Sequence, residues 1–407
     1  MVTGKMTRVA DPLGVDVPYA EELDVCLRCG YCRPVCPTWR EVGWESASPR
    51  GKAYWLRRIA RQTPLDHTMG LRPEVTQRFF EHFYYCTMCG RCAEVCHTAI
   101  PLHHVWESCR EWLIREGWGP LEPHVAMLKS LATDNNPWGH PAKRRTEWLG
   151  KRKPAATGDV LWFVGCSESY TQVQASDAGA MLLDTAGISW TTLGTEEWCC
   201  GNAESKIGAT EHIDERARHN VDAIEATGAT RVVSGCPGCI LTLDKIYRDR
   251  GMGGDFEVLH MTQYLAELLD EGRLVPEKRP RGKVIWHDPC ELGRVGDRIY
   301  GAPRRILDAV LGEDNWLEFS QNRDEANCCG GGGAFKGVDD EVAVRIAANK
   351  LEEAEELGAS VCVTACPTCR FNLNHGVQKL KRERKGIDKG TFKMKAIDIK
   401  ELLVRSL

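Results

Sequence analysis

A chain of 407 residues with 43% hydrophobic and 27% charged residues has the composition of a globular protein of two or three domains. Its net charge of −4 gives no electrostatic grip on nucleic acid, and no apolar run reaches the ~18 residues that a membrane helix needs. Behind the N-terminal charges there is no apolar stretch of the kind that directs export, so the 20 cysteines point to metal or redox chemistry rather than to disulfides.

The first elements are two cysteine runs. "CLRCGYCRPVCP" sets Cys26, Cys29, Cys32 and Cys36 in the pattern C-x2-C-x2-C-x3-C-P, and "CTMCGRCAEVCH" repeats it at Cys86, Cys89, Cys92 and Cys96. This is the run of bacterial two-cluster ferredoxins, in which the fourth cysteine of each run crosses to the other [4Fe–4S] cubane. That rule assigns Cys26, Cys29, Cys32 and Cys96 to one centre, and Cys86, Cys89, Cys92 and Cys36 to the second. Zinc would ask for paired C-x2-C units instead. His97 stands where the second run would have proline, a position that does not ligate. "GKAYWLRRIARQ" (51–62) and "VWESCREWLIR" (105–115) carry apolar residues near helical spacing. Residues 1–142 are therefore expected as a helical ferredoxin-like domain, with Cys109 an inert packing thiol. Pro137, Pro141 and the basic stretch "KRRTEWLGKRKP" (143–154) predict a linker over 143–157. A solvated connector is the simplest reading of its charges, and a face for a partner or anionic lipid is the alternative.

From there the sequence repeats itself. "DVLWFVGC" and "KVIWHDPC" are strand-like runs ending at Cys166 and Cys290. "EEWCCG" and "EANCCG" carry the pairs Cys199–Cys200 and Cys328–Cys329, and C-P-x-C follows at Cys236 and Cys239, then at Cys366 and Cys369. A helical run closed by glycine precedes each C-P-x-C, and a further helix, "MTQYLAELL" or "IDIKELLVRSL", follows it. The offset of about 125–130 residues marks a duplicated α/β domain, with copies over 158–278 and 279–407. The expected fold is thus α+β and α/β, a helical two-cluster domain followed by two copies of one unit.

Each copy offers five cysteines at the ends of three strand-like segments, the edge where open α/β sheets bind ligands. The run "EANCCGGGGAF" (325–335) raises the question of why two thiols stand side by side before four glycines. A disulfide between neighbours is strained, because Cα atoms ~3.8 Å apart fall short of the usual 4.4–6.8 Å. A phosphate loop would continue with Lys and Ser/Thr. The remaining reading is that both thiolates grip neighbouring irons of one cluster, while the glycines make room for it and offer N–H groups to its sulfides. Outside these two sets and the two ferredoxin-type runs only Cys109 and Cys362 remain, and Cys362 is expected in the core.

Two ferredoxin motifs followed by two such units resemble the CCG-domain (cysteine-rich domain) family, and the layout is similar to the fused catalytic subunit of membrane-type heterodisulfide reductases. The resemblance runs from Cys26 to the last helix. It implies a noncubane [4Fe–4S] cluster on each complete five-cysteine set, the two clusters together cleaving a disulfide. The same layout occurs in iron–sulfur subunits of glycolate, lactate and glycerol-3-phosphate dehydrogenases, which "CPTWREVGWESASPRGKAYWL" (36–56) also resembles. There the domain is thought to relay electrons, often with one set incomplete. Both sets are complete in this chain, which favours disulfide reduction, for example of the coenzyme M–coenzyme B heterodisulfide or of a protein disulfide. His287, beside the second set, is the candidate proton donor. Arg294, Arg298, Lys206 and Lys336 are candidates to bind an anionic substrate. No G-x-G-x-x-G follows a strand, so flavin or nicotinamide is not expected on this chain. Electrons would enter from a membrane cytochrome b subunit or a flavoprotein- or hydrogenase-type donor, with the chain cytoplasmic and peripheral at the inner face of the membrane. The basic stretch "KLKRERKGIDKGTFKMK" (379–395) is read as a solvated face, with partner docking as the alternative.

Overall fold

The structure, a computed structural model, describes residues 16–71, 73–385 and 392–407. The charged N-terminus on which the expectation about export rests, and the middle of the basic stretch 379–395, lie outside the described residues.

The N-terminal part is helical because its two long apolar-periodic runs have good ends. Helix Pro49–Ala60 starts behind Ser48, whose hydroxyl accepts from the Gly51 N–H at 2.9 Å, and it has proline in its first turn. It buries Ala53, Leu56 and Ile59. Helix Leu102–Arg115 turns Val105, Trp106, Cys109, Trp112 and Leu113 inward, at the spacing of one helix face. Both pack on Phe79, Phe80, Phe83 and Tyr84. Cys109 is fully buried there and is a packing thiol, as expected.

Each repeat folds as a four-stranded parallel sheet. The first contains β1 (Val160–Trp162), β2 (Trp190–Thr191), β3 (Arg231–Ser234) and β4 (Glu257–His260) in the order β2-β1-β3-β4. The second contains β5 (Val284–Trp286), β6 (Leu317–Glu318), β7 (Val361–Thr364) and β8 (Lys395–Asp398) in the order β6-β5-β7-β8. The sequence suggests three strands per unit. The fourth, β4 or β8, is short and runs directly into the following helix, Met261–Asp270 or Ile399–Val404, so helical periodicity masks it. β1, β5 and β7 are buried throughout, as expected of parallel strands covered on both faces. In each sheet the strand order reverses between the first and third strands, and the crevice beyond their carboxyl ends is where such sheets hold ligands.

The two units face each other about an approximate twofold. Helix Val173–Thr185 of the first packs on Ile399–Val404 of the second, and Met261–Asp270 packs reciprocally on Gly301–Leu311, as in an isologous dimer. One core crosses the interface, with Trp162, Leu182 and Leu265 from one unit and Trp286, Leu307 and Leu403 from the other. The stretch expected as a solvated connector also joins this core. Residues Ala142–Leu149 form a 3-10 helix, and Trp148 packs edge-on to Trp162 at 5.0 Å between ring centroids. Arg145 beside it is only 3% exposed. At these two residues the solvated reading fails, because an indole finds apolar cover and a guanidinium finds a buried acid.

Candidate metal centres

Cys26, Cys29, Cys32 and Cys96 line one shallow pocket, with Cys29 exposed. Around Cys92 lie Cys86, Cys89 and Cys36. The chain thus brings together the two crossed sets that the spacing suggests. Burial and then the neighbouring Cys26 push the Cys32 thiol up to about 12, and burial pushes Cys36 up to about 11. Crowded, buried thiols resist ionisation. They become thiolates when a cation offsets the charge, so this donor set fits iron–sulfur clusters.

In the first five-cysteine set the Cys200 and Cys239 sulfurs are 3.5 Å apart, and Cys166 and Cys199 are in hydrogen-bonding contact. Gly165 (φ +76) passes so close that a Cβ there would sit 3.0 Å from the Cys239 sulfur. Two residues that sequence reasoning missed shape this loop. Glu197 accepts from the N–H groups of Val164 and Gly165, each at 2.9 Å, and from Arg145 Nη1 at 2.6 Å. Arg145 Nη2 in turn donates to the Cys166 sulfur at 3.4 Å.

In the second set the Cys329 and Cys369 sulfurs are 3.2 Å apart, and Cys290 touches Cys328. The Gly330 N–H donates to Cys328 Sγ at 3.3 Å and the Gly331 N–H to Cys329 Sγ at 3.5 Å. Part of the glycine run therefore serves sulfur, as expected. The rest serves another purpose. A Cβ on Gly333 (φ +64) would lie 2.6 Å from the Thr87 carbonyl carbon, and one on Gly332 would lie 3.0 Å from Thr87 O. The missing side chains let the Cys86–Thr87 backbone press against the second unit, and Cys89 reaches contact with Cys328. Gly333→Ala is therefore expected to lower the unfolding free energy by about 2 kcal/mol or more, adding a clash to left-handed strain. A urea titration checks this, and Gly70→Ala, where a Cβ meets nothing, serves as the control that carries strain alone.

Arg110, fully buried, locks the same junction. Its Nη1 donates to Lys206 O at 2.5 Å and Gly333 O at 2.7 Å, and its Nη2 donates to Cys86 O at 2.9 Å. One guanidinium thus ties the ferredoxin-like part to both repeats. Arg294 acts likewise, with Nε on Cys89 O at 2.6 Å and Nη1 on Ala326 O at 2.7 Å. Its Nε and Nη1 are thus committed to carbonyls, and it does not line the cavity described next. Arg298 is exposed, pairs with Glu94 at 3.0 Å and with Asp324, and does not line the cavity described next.

A cavity of about 380 Å³ opens between the repeats. All five cysteines of the first set line it, whereas the second unit contributes Gly331–Gly333, Pro367, Thr368 and Phe371 rather than any of its cluster cysteines. Lys206 and Lys336 reach this cavity. Lys206 is buried and pairs with Glu107 and with Glu291 at 3.5 Å. Burial opposes its charge, but Glu107 and Glu291 more than offset this and hold the ammonium above its usual range. Lys336 donates to Asn372 Oδ1 at 3.0 Å and pairs with Asp340.

His287 is 1% exposed, and a ring nitrogen lies within 4.8 Å of the Cys329 and Cys369 sulfurs. Burial drives its basicity well below the ordinary range, and it does not line the cavity. The candidate proton donor thus sits against the Cys329 and Cys369 sulfurs and outside the lining of the cavity. Cys362 is fully buried and pushed up to about 12 by that burial, an inert core thiol.

Residues 22–100 match the model of the 4Fe-4S dicluster domain, and residues 160–244 and 284–374 each match that of the cysteine-rich domain. The matching subunit of the dihydromethanophenazine:CoB–CoM heterodisulfide reductase of Methanosarcina barkeri is 33% identical over 393 residues, covering 93% of this chain and 95% of its own. EtfAB:quinone oxidoreductase of Syntrophomonas wolfei is 26% identical, covering 95% of this chain and 58% of its own. A crystal structure of a hypothetical protein from Helicobacter pylori aligns with a TM-score of 0.52 at 11% identity, covering 88% of this chain and 68% of the other, a likeness of fold alone. With a third of its residues shared along nearly the whole of both chains, this protein belongs to the family of that heterodisulfide reductase subunit, whose members are iron–sulfur oxidoreductases built from a dicluster domain and paired cysteine-rich domains.

Proposed function

We propose that this chain is the disulfide-reducing subunit of a larger electron-transfer complex, and that it binds its disulfide in the cavity between the two repeats. The observation that carries this reading is the cavity itself, walled by one whole five-cysteine set and by the side-chain-free glycine run of the other. In this reading residues 1–142 hold two cubane clusters, and residues 158–278 and 279–407 each hold one noncubane cluster. When bound, the four clusters supply one-electron carriers and iron that accepts sulfur. The reaction adds two electrons and two protons to one S–S bond and yields two thiols.

The chain's own residues prepare that event. Glycines 331–333 form one wall of the cavity opposite the first five-cysteine set. Lys206 and Lys336 attract an anionic substrate, and Glu107 with Glu291 fix the Lys206 ammonium in place. Arg145 steadies the Cys166 thiolate from the protein side, while the N–H groups of Gly330 and Gly331 do so for Cys328 and Cys329. Among the described residues no helix is long and apolar enough to cross a membrane. Electrons then come from a partner, a membrane cytochrome b subunit or a flavoprotein- or hydrogenase-type donor, with the chain peripheral at the inner face of the cytoplasmic membrane.

Anaerobically purified protein is expected to contain about 16 iron atoms and as much sulfide, four per cluster; about 8 would leave the repeats without clusters. Reduced viologen should be oxidised by the coenzyme M–coenzyme B heterodisulfide or by a protein disulfide. The EtfAB:quinone oxidoreductase relative favours a second reading, an electron relay; the alternative read from the motif layout makes this chain the relay subunit of an FAD-linked glycolate, lactate or glycerol-3-phosphate dehydrogenase. In that case the loaded protein exchanges electrons with a flavoprotein and turns over no disulfide.

A further inference from the structure

The two repeats share a fold but not an interior. Matching β1 with β5 puts Phe163 where the second unit has His287, and matching the glycines that end the following helices, Gly228 and Gly358, puts Asn220 where it has Lys350. In the first unit both positions are quiet. Phe163 is fully buried in apolar core. The Asn220 side chain accepts from the Trp198 N–H at 3.1 Å and donates to Tyr247 Oη at 3.2 Å. In the second unit both positions hold buried nitrogen donors without a hydrogen-bond partner. His287 is 1% exposed and Lys350 4%, and neither side chain makes a hydrogen bond. Unpaired buried donors are rare and ask for an acceptor. Sulfur is within reach of His287, and Lys350 lines a pocket with one of the same centre's cysteines. A His287 nitrogen lies within 4.8 Å of the Cys329 and Cys369 sulfurs. Lys350 shares a small pocket of about 70 Å³ with Cys328, its ammonium 3.6 Å from the Phe319 ring centroid.

We propose that His287 and Lys350 donate N–H hydrogen bonds to the sulfurs of the second centre, so that this centre takes up an electron at a higher potential than the first. The inference rests on the reading that each five-cysteine set holds a cluster. Donors to cluster sulfur stabilise the more negative, reduced state and raise its potential. Protonation does not decide the matter, because a neutral imidazole keeps one N–H and an amine keeps two. Position gives the difference a use. The second centre abuts Cys89 of the ferredoxin-like part, whereas the first faces the cavity. The first electron to arrive is held at the second centre, and the cavity-facing centre is reduced last. A disulfide then meets a reduced first centre only when both electrons of its two-electron cleavage are aboard.

The test is an EPR-monitored redox titration of the iron-loaded full chain. Cys200→Ala, which removes the first centre, tells the two signals apart. His287→Phe and Lys350→Asn, which import the first unit's residues, should each lower the second centre's reduction equilibrium about tenfold, ~59 mV for one electron, with the first centre and both cubanes unmoved. His287→Gln, which keeps an N–H, should recover most of that loss, and Phe163→His should raise the first centre. The proposal is overturned if the wild-type second centre is not the higher of the two. It is also overturned if His287→Phe and Lys350→Asn leave its potential in place at unchanged iron content, or if His287→Gln shifts it as far as His287→Phe. An iron content of about 8 in the wild type overturns instead the cluster reading on which it rests.

Discussion

Cys200→Ala is expected to abolish the proposed disulfide turnover and to leave both ferredoxin-type centres intact. Cys200 is buried, stands 3.5 Å from Cys239 and lines the cavity between the repeats. Its loss disables the centre that faces the substrate. The remaining centre can pass one electron, but cleaving a disulfide takes two. Cys26, Cys32, Cys86, Cys92 and Cys96 pack with the helical core of the N-terminal part, away from Cys200, while Cys89 packs with the second unit. Cys329→Ala, some 130 residues later in the chain, gives the same result from the other unit. The check is EPR of each variant after thiol addition under mild oxidation, alongside viologen-linked turnover. A thiol-dependent signal present in the wild type and missing in both variants supports substrate sulfur on iron. Partial turnover in either variant would mean that one centre suffices.

Arg110→Met has the largest expected effect on stability. The substitution keeps an apolar body in the helix and removes the guanidinium that satisfies three carbonyls, Lys206 O, Gly333 O and Cys86 O. Each buried acceptor left unpaired costs about 1–3 kcal/mol, so the loss over three comes to about 3–9 kcal/mol. A further contribution disappears with the stacking of the guanidinium over Tyr84, 4.4 Å from the ring centroid. Arg110→Lys restores little, because a single ammonium lacks the planar fork that spans three carbonyls. The function should fail along with the stability. The Cys86–Thr87 backbone no longer sits tightly against Gly333, so the cubanes still reduce while electron arrival at the second five-cysteine set slows. Urea midpoints and rapid-mixing EPR read the two effects separately. An unchanged midpoint and an unchanged transfer rate would show that the three parts hold together without this residue.

The candidate cluster cysteines are legible in the sequence because their chemistry is local. A triplet at C-x2-C-x2-C, an adjacent pair and a C-P-x-C each put several sulfurs within reach of one cluster from a few consecutive residues. The duplication is legible because both copies keep the same order of motifs. What stays hidden depends on distant partners. Arg110 lies in "VWESCREWLIR", where an arginine on an amphipathic helix looks like any solvated charge, and its partners are backbone carbonyls that carry no residue code. Charge alone singles out Arg294 and Lys206, whereas their use depends on burial, which sequence does not report. Part of the glycine run does serve cluster sulfur, but its pressure against Thr87 comes from a segment more than two hundred residues earlier. The proton role expected of His287 rests on its nearness to Cys290 along the chain. The fold instead turns the ring away from the cavity and toward Cys329 and Cys369. β4 and β8 escape a sequence reading because four residues leading straight into a helix leave no strand period to read.

The central claim is that the disulfide is reduced within this chain rather than at a partner. Single-turnover mixing tests it most directly. The iron-loaded, fully reduced protein, with excess reductant removed, is mixed anaerobically with one equivalent of the heterodisulfide or of a protein disulfide, and thiol release is followed with the oxidation of each cluster signal. The account predicts two thiols per chain, two electrons lost, and the first oxidation at the five-cysteine centres ahead of the cubanes. No thiol release from the loaded wild type with each disulfide, together with normal electron exchange with a flavoprotein, would contradict it and leave this chain an electron relay.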